Sequence, residues 1–107
     1  MRVCHITSLH SYKDVRITIK EAKSLKENSN MSVFLIAPNT DNLTFEGIKV
    51  IGVKRKKQNR LQRVINASKE FYKVAIKLEA DVYHFHDPEL IPLGKKLSKN
   101  GKKVIYD

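Results

Sequence analysis

The segment DVYHFHDPE, residues 81–89, holds the densest group of side chains that can do chemistry. His84 and His86 are two residues apart, so in a strand they share one face. Such a pair can bind zinc, but a zinc site needs further ligands, and the only other histidines are His5 and His10. Histidine titrates near neutral pH, so His86 also suits acid–base catalysis. We favour a hydrogen-bonded core position for His84 and a ligand-facing position for His86, and we expect no metal.

The three residues after His86 are typical of a helix start. Asp87 suits the N-cap, Pro88 suits the first helical position, and Glu89 is favoured by the positive end of the helix dipole. Capping by Asp87 and contact between Asp87 and a ligand are both open at this point.

The chain is strongly basic. Its 107 residues include 21 lysines and arginines against 11 acidic residues, a net charge of +10 that favours anionic partners such as phosphates or anionic lipids. The length allows one domain. Six of the basic residues lie within residues 54–63, here called the basic segment: Lys54, Arg55, Lys56, Lys57, Arg60 and Arg63. A solvated surface is the alternative interpretation of such a cluster.

The cellular location is predicted from two features. Cys4 is the only cysteine, so no intrachain disulfide can form and nothing favours an oxidising compartment. The N-terminal residues lack the apolar core of a signal peptide, and no apolar run is long enough to cross a bilayer. We predict a cytoplasmic protein, and peripheral contact with a membrane stays open.

Apolar, β-branched runs alternate with segments of helical periodicity along the chain. The predicted strands span residues 2–8, 32–38, 48–53, 81–86 and 102–107, and the predicted helices span residues 15–28, 60–79 and 88–100. The continuous hydrophobicity of the strands predicts a parallel sheet that is buried on both faces. With helical crossovers, this indicates an α/β, Rossmann-like, doubly wound fold of about five strands in the order 3-2-1-4-5.

Ligands of such a sheet bind beyond the carboxyl ends of the strands, where the strand order reverses. The predicted order places this crevice between the first and fourth strands. Two sets of polar residues would face each other there, namely His10, Asp14 and Arg16 against His86, Asp87 and Glu89. The first loop contains no glycine, which argues against a dinucleotide site, and neither a P-loop nor a nucleophile elbow occurs.

Three stretches carry a resemblance to a known family: RVCHITSLHSYKDVRITIKEAKSL (2–25), VFLIAPN (33–39) and DVYHFHDPELIPLGKKLSKNGKKVIYD (81–107). In this order they look like the N-terminal domain of glycosyltransferase family 4, whose members have the GT-B fold of two Rossmann-like domains. The resemblance covers nearly the whole chain, and its most specific parts are the DVYHFHDPE run and the helix start at residues 14–22.

The resemblance implies a retaining hexosyltransferase of polysaccharide or glycoconjugate synthesis. The enzyme would move a sugar from a nucleotide-sugar to a glycan or lipid-linked acceptor, without a metal or other cofactor. Residues 1–107 would form the truncated, acceptor-side domain. The donor-binding C-terminal domain would be missing, so we expect this fragment alone to be inactive and to self-associate through the surface that truncation exposes.

The resemblance also implies roles for individual residues. His86 becomes the candidate catalytic residue, as a cleft acid or base or as a contact to the donor sugar. The candidate substrate-binding residues are Ser8, His10, Asp14, Arg16, Asp87 and Glu89. Members that use lipid-linked acceptors bind peripherally to anionic bilayers, so the basic segment is predicted to contact a membrane or another anion.

Two other functions fit the same composition less well. A stand-alone basic module for nucleic acid or an anionic polymer would explain the charge, but the aromatic platform of single-strand binders is missing, so we expect no nucleic acid. A receiver-like signalling domain would need acidic residues at the strand ends, whereas the first strand ends ITSLH.

Overall fold

The computed structural model of the chain describes residues 1–9, 11, 13, 15, 19, 32–45 and 47–106. Three predicted substrate-binding residues, His10, Asp14 and Arg16, lie outside the described residues. Most of the predicted helix at residues 15–28 lies outside them too, although Val15 and Ile19 are described and buried.

The described chain forms an α/β fold around one mixed sheet of six strands. The strands are β1 (Arg2–Ile6), β2 (Ser32–Pro38), β3 (Leu43–Phe45), β4 (Ile48–Val53), β5 (Val82–Phe85) and β6 (Lys103–Tyr106). Their order is β3-β4-β2-β1-β5-β6. All neighbouring pairs are parallel except β3 and β4.

Strand β3 corrects the sequence prediction, which gave about five strands, all parallel. The strand count differs, and the order of the whole sheet differs with it, because β3 adds an antiparallel edge to β4, whereas the five predicted strands follow one another as β4-β2-β1-β5-β6. Gly47, with a φ of 82°, stands between the two strands and allows the chain to reverse there. Three residues are too few to show the alternation from which a strand can be predicted.

Two helices are described, and both lie close to their predicted places. Helix α1 (Arg60–Lys77) begins with a capping box, in which the Asn59 side chain accepts from the Gln62 amide at 2.9 Å and the Gln62 side chain accepts from the Asn59 amide. Helix α2 (Ile91–Lys99) is shorter than predicted, because Pro88–Leu90 form a 3₁₀ turn before it.

The sheet carries a buried core on each face. On one face, Cys4 of β1 and Tyr83 and Phe85 of β5 pack with buried residues of α1 and α2. On the other face, Val33 and Leu35 of β2 pack in a second core. That second core also contains Val15, Ile19, Ala37, Ile48 and Val50. Burial of both faces agrees with the continuous hydrophobicity of these strands.

Candidate functional site

The carboxyl ends of β1 and β5 meet at one edge of the sheet, because these strands are adjacent and parallel. The register pairs His5 with His84 and Ile6 with Phe85. The loops that follow the two strands therefore lie side by side, and the Ser8 amide donates to Asp87 Oδ2 at 2.7 Å. Of the candidate substrate-binding residues, the structure brings together Ser8, Asp87 and Glu89.

Asp87 holds the loop after β1 in place. Its Oδ2 accepts from Thr7 Oγ1 at 2.6 Å, from the Ser8 amide at 2.7 Å and from the Leu9 amide at 3.3 Å. The predicted capping role is wrong: Asp87 occupies the N-cap position of the 3₁₀ turn, but within the described residues its side chain makes no capping bond. Because Asp87 is only 4% exposed, we revise its predicted substrate contact to a positioning role.

Glu89 lies at the centre of a set of ion pairs, here called the charge network, that comprises Arg55, Arg63, Glu70 and Glu89. One Glu89 oxygen lies 2.8 Å from Arg55 Nη1 and the other lies 2.8 Å from Arg63 Nε. Arg55 Nε in turn lies 2.8 Å from Glu70 Oε2. Two guanidinium groups and two carboxylates balance, so the network has no net charge.

The electrostatics of Glu89 follow from these partners. Burial raises the pKa of Glu89, but the nearby Ser8 hydroxyl and the guanidinium groups of Arg63 and Arg55 outweigh burial and lower this pKa overall. Glu89 is therefore ionised at neutral pH. Its carboxylate is engaged by protein donors, which revises the prediction that it binds substrate.

Arg55 also differs from its prediction. Its side chain is only 5% exposed. Besides its two ion pairs, it donates to the backbone oxygens of Ser8 and Arg63 and lies over the Phe71 ring. We therefore withdraw Arg55 from the residues predicted to contact a membrane.

The rest of the basic segment is more accessible. Lys54, Lys56, Lys57 and Arg60 are exposed, and Arg63 is partly exposed. Among the described residues, no helix has the length and apolar character needed to cross a bilayer. Contact of these exposed residues with an anionic surface stays a prediction.

A cleft of about 460 Å³ opens at the carboxyl ends of β1, β2 and β4. Its lining includes Ser8, Asn39, Arg55, Lys56, Lys57 and Arg63. The cleft lies to one side of the crevice predicted between β1 and β5. Two contacts occupy that position: the Ser8 amide donates to Asp87, and Arg55 donates to both the Ser8 carbonyl oxygen and Glu89.

Three histidines form a cluster on the sheet face opposite α1 and α2. His5 on β1 lies beside His84 on β5, and His86 follows at the end of β5. The ring centroids are 4.7 to 5.2 Å apart, and the rings are stacked within 30° of parallel. His5 Nδ1 lies 3.0 Å from His86 Nε2, so one ring donates to the other. These three residues are called the histidine cluster below.

His5 is neutral at physiological pH. Burial, and to a smaller extent the neighbouring rings of His84 and His86, lower its pKa to about 3. A neutral imidazole has one nitrogen lone pair that can accept a proton or bind a metal. The structure places His84 and His86 half-buried, with His5 almost fully buried.

Sequence reasoning missed His5 as a member of this group. The signal was present, because adjacent parallel strands place residues of matching parity on the same face. Arg55 and Glu70 were missed as partners of Glu89 for another reason. They are 34 and 19 residues distant from Glu89, and no local pattern connects them.

Comparison with known proteins gives no identification, since neither a protein-family model nor a curated protein matches the chain.

Proposed function

We propose that the chain is the acceptor-side, Rossmann-like half of a retaining GT-B glycosyltransferase that uses a nucleotide-sugar. The observation that carries the proposal is the cleft of about 460 Å³ at the carboxyl edge of the parallel strands. Open α/β sheets bind their ligands at this edge. The motifs that resemble glycosyltransferase family 4 include the loop after β1, which forms part of the cleft wall through Ser8 and Leu9.

The charges of the cleft suit an acceptor with anionic groups. Lys56 and Lys57 are exposed at its rim, and the Arg63 side chain is 35% exposed. Arg55 is buried and paired, so it shapes the wall instead of binding the ligand. A phosphate-bearing, lipid-linked saccharide would place its charge against the two lysines, which is consistent with a cytoplasmic enzyme at a membrane surface.

His86 keeps its proposed role as a contact to the transferred sugar. It lies beyond the last residue of β5, and its amide donates to Ile6 O at 3.1 Å, which fixes its backbone at the sheet edge. A second Rossmann-like half would have to supply the donor site, because transfer requires both substrates to be oriented in one cleft.

Sugar transfer by the polypeptide expressed from its complete gene tests the proposal. UDP-glucose, UDP-galactose, UDP-N-acetylglucosamine and GDP-mannose would be offered with saccharide and polyprenyl-linked acceptors, and product formation followed by mass spectrometry. We expect transfer from one donor with retention at the anomeric carbon, and none from residues 1–107 alone. His86→Asn should lower kcat, while Lys103→Gln at the opposite edge should not. Absence of transfer across the panel would reject the enzyme, and turnover by the isolated chain would reject the two-half cleft.

The second candidate function is a stand-alone binding module for nucleic acid or an anionic polymer, favoured by the exposed Lys54, Lys56, Lys57 and Arg60. Binding of a fluorescent oligonucleotide at 50 and 200 mM salt distinguishes it. A module of this kind would bind at physiological salt with an affinity that falls steeply as salt increases.

A further inference from the structure

We propose that His5, His84 and His86 form a binding site for a first-row divalent transition cation of the zinc class. The proposal departs from the sequence expectation of no metal, which had only the pair His84 and His86 on one face and did not place His5 beside them. The fold adds a third imidazole from the neighbouring strand.

The backbone brings the three rings together before any cation binds. His5 and His84 are paired in the register of two adjacent strands in the middle of the sheet, and His86 lies on the same face two residues further along. One ligand nitrogen from each residue falls within 4.8 Å of the others. Hydrogen-bonded strands hold the three Cα atoms, so only side-chain rotation separates this arrangement from a coordinated one.

The distances fit a tetrahedral ion after a small adjustment. Zinc–nitrogen bonds of about 2.0–2.1 Å at tetrahedral angles place ligand nitrogens about 3.4 Å apart. His5 Nδ1 and His86 Nε2 are already 3.0 Å apart. One ligand nitrogen from each ring lies within 4.8 Å of the others, so no pair of that set has to close by more than about 1.4 Å, which a change of side-chain torsion can provide.

The ligand types select the class of cation. Three imidazoles suit zinc, copper, nickel and cobalt, whereas calcium and magnesium prefer oxygen ligands. Within the described residues, no carboxylate or thiolate joins the cluster. The only thiol, Cys4, belongs to the core on the opposite face of the sheet.

The three histidines of the site are buried to different degrees. His5 is 8% exposed, and His84 and His86 are half-buried. A cation held by all three rings would join β1 to β5 near the carboxyl edge, and three protein ligands would leave a fourth tetrahedral position unfilled by the cluster. A three-histidine set with an open position is the arrangement that lets zinc bind water or an anion.

A metal titration of the chain tests the proposal. The chain would be stripped with EDTA and titrated with ZnCl₂ by calorimetry, and with CoCl₂ by visible absorption. We expect one ion per chain and the d–d bands of tetrahedral Co²⁺. His84→Gln and His86→Gln should each weaken zinc binding by more than about 100-fold, since even loss of an outer-shell partner costs 10–100-fold. Cys4→Ala is the matched control and should bind zinc as the wild type does.

The ring nitrogens of the wild-type chain give a readout that needs no variant to fold. On zinc addition, the ¹⁵N shifts of His5, His84 and His86 should all move to metal-bound values. Absence of stoichiometric binding, unchanged affinity in both glutamine variants, or shifts that exclude His5 would each overturn the site. Because no sugar transfer is measured, failure here and failure of the proposed function are separate results.

Discussion

The histidine cluster and the charge network lie at the same edge of the sheet but are built in opposite ways. The cluster consists of stacked imidazoles, of which His5 is held neutral by burial. The network consists of full charges that pair with one another at 2.8 Å. The charged residues are thus occupied by one another, whereas the neutral His5 ring keeps a nitrogen lone pair that can serve as a ligand. The most highly charged residues of a site can therefore be the ones that hold its structure together.

Removal of the central carboxylate of the network should give the largest loss of stability. Among the described residues, Glu89→Gln leaves the buried Arg55 with only Glu70 as an ionic partner, and we expect a loss of about 3 kcal/mol in the free energy of unfolding, measured in urea. Glu70→Gln is the matched control. Its carboxylate is more exposed, at 24%, so it should cost about 1 kcal/mol. Equal losses would show that Glu89 is not the centre of the network.

Asp87 connects the loops that follow β1 and β5, and its replacement should cause the next largest loss of stability. Asp87→Ala leaves Thr7 Oγ1 and the amides of Ser8 and Leu9 without this acceptor, at a cost of about 2–3 kcal/mol. Thr7→Val removes one of the three bonds and should cost about 1 kcal/mol. Hydrogen exchange of the Ser8 and Leu9 amides should accelerate in Asp87→Ala only. Similar exchange in both variants would contradict the positioning role.

The histidine cluster and the charge network should also differ in the pH range over which they change the stability of the chain. The pKa of His5 is about 3 in the folded chain against an ordinary value of 6.5, so the unfolded chain binds the extra proton first and stability falls as pH falls between these values. From pH 7 to pH 5, with EDTA present, His5 should cost about 2 kcal/mol. His5→Gln should remove that part of the pH dependence.

Glu89 should change the stability of the chain at more acidic pH than His5 does. Its pKa is lowered in the folded chain, so the stability it contributes is present above its ordinary value of 4.5 and is lost as pH falls through the lower folded value. Glu89→Gln should therefore keep the wild-type slope between pH 7 and pH 5. Unfolding measured at pH 7, 6 and 5 checks both variants. A Glu89→Gln slope that differs in this range, or an unchanged slope in His5→Gln, would remove the distinction.

Replacement of one exposed lysine should have the smallest effect, and this effect should be on membrane binding. Lys57→Gln should weaken binding of the chain to phosphatidylglycerol vesicles about fivefold, since one lysine near an anionic surface contributes about 1 kcal/mol. Lys103→Gln makes the same change of charge at the opposite edge of the sheet and should leave vesicle binding nearly unchanged. Equal weakening by both variants would indicate a response to net charge alone.

Local pattern predicted part of this architecture. The strands around β1, β2, β4 and β5 followed from continuous apolar runs, and α1 followed from its amphipathic period. Strand β3 did not, because three edge residues carry no readable alternation.

The site was less predictable, because its contacts are long-range. Asp87 has the residue type and position of a local cap, yet its acceptor oxygen is used by a loop 79 residues away. His5 became recognisable as a partner of His84 only through the register of β1 and β5. A sequence gives the parity of a strand, but the register between two strands depends on how the sheet is assembled.

Amide chemical-shift mapping of a bound saccharide tests most directly whether the carboxyl edge is the ligand-binding edge of a glycosyltransferase half. The saccharide would be the tightest ligand of this chain on a glycan array. The account predicts shifts at the amides of Ser8, Leu9, Asn39 and Gln58, which line or border the cleft. Failure of every saccharide to bind, or shifts confined to the opposite edge around Asp81 and Lys102, would contradict it.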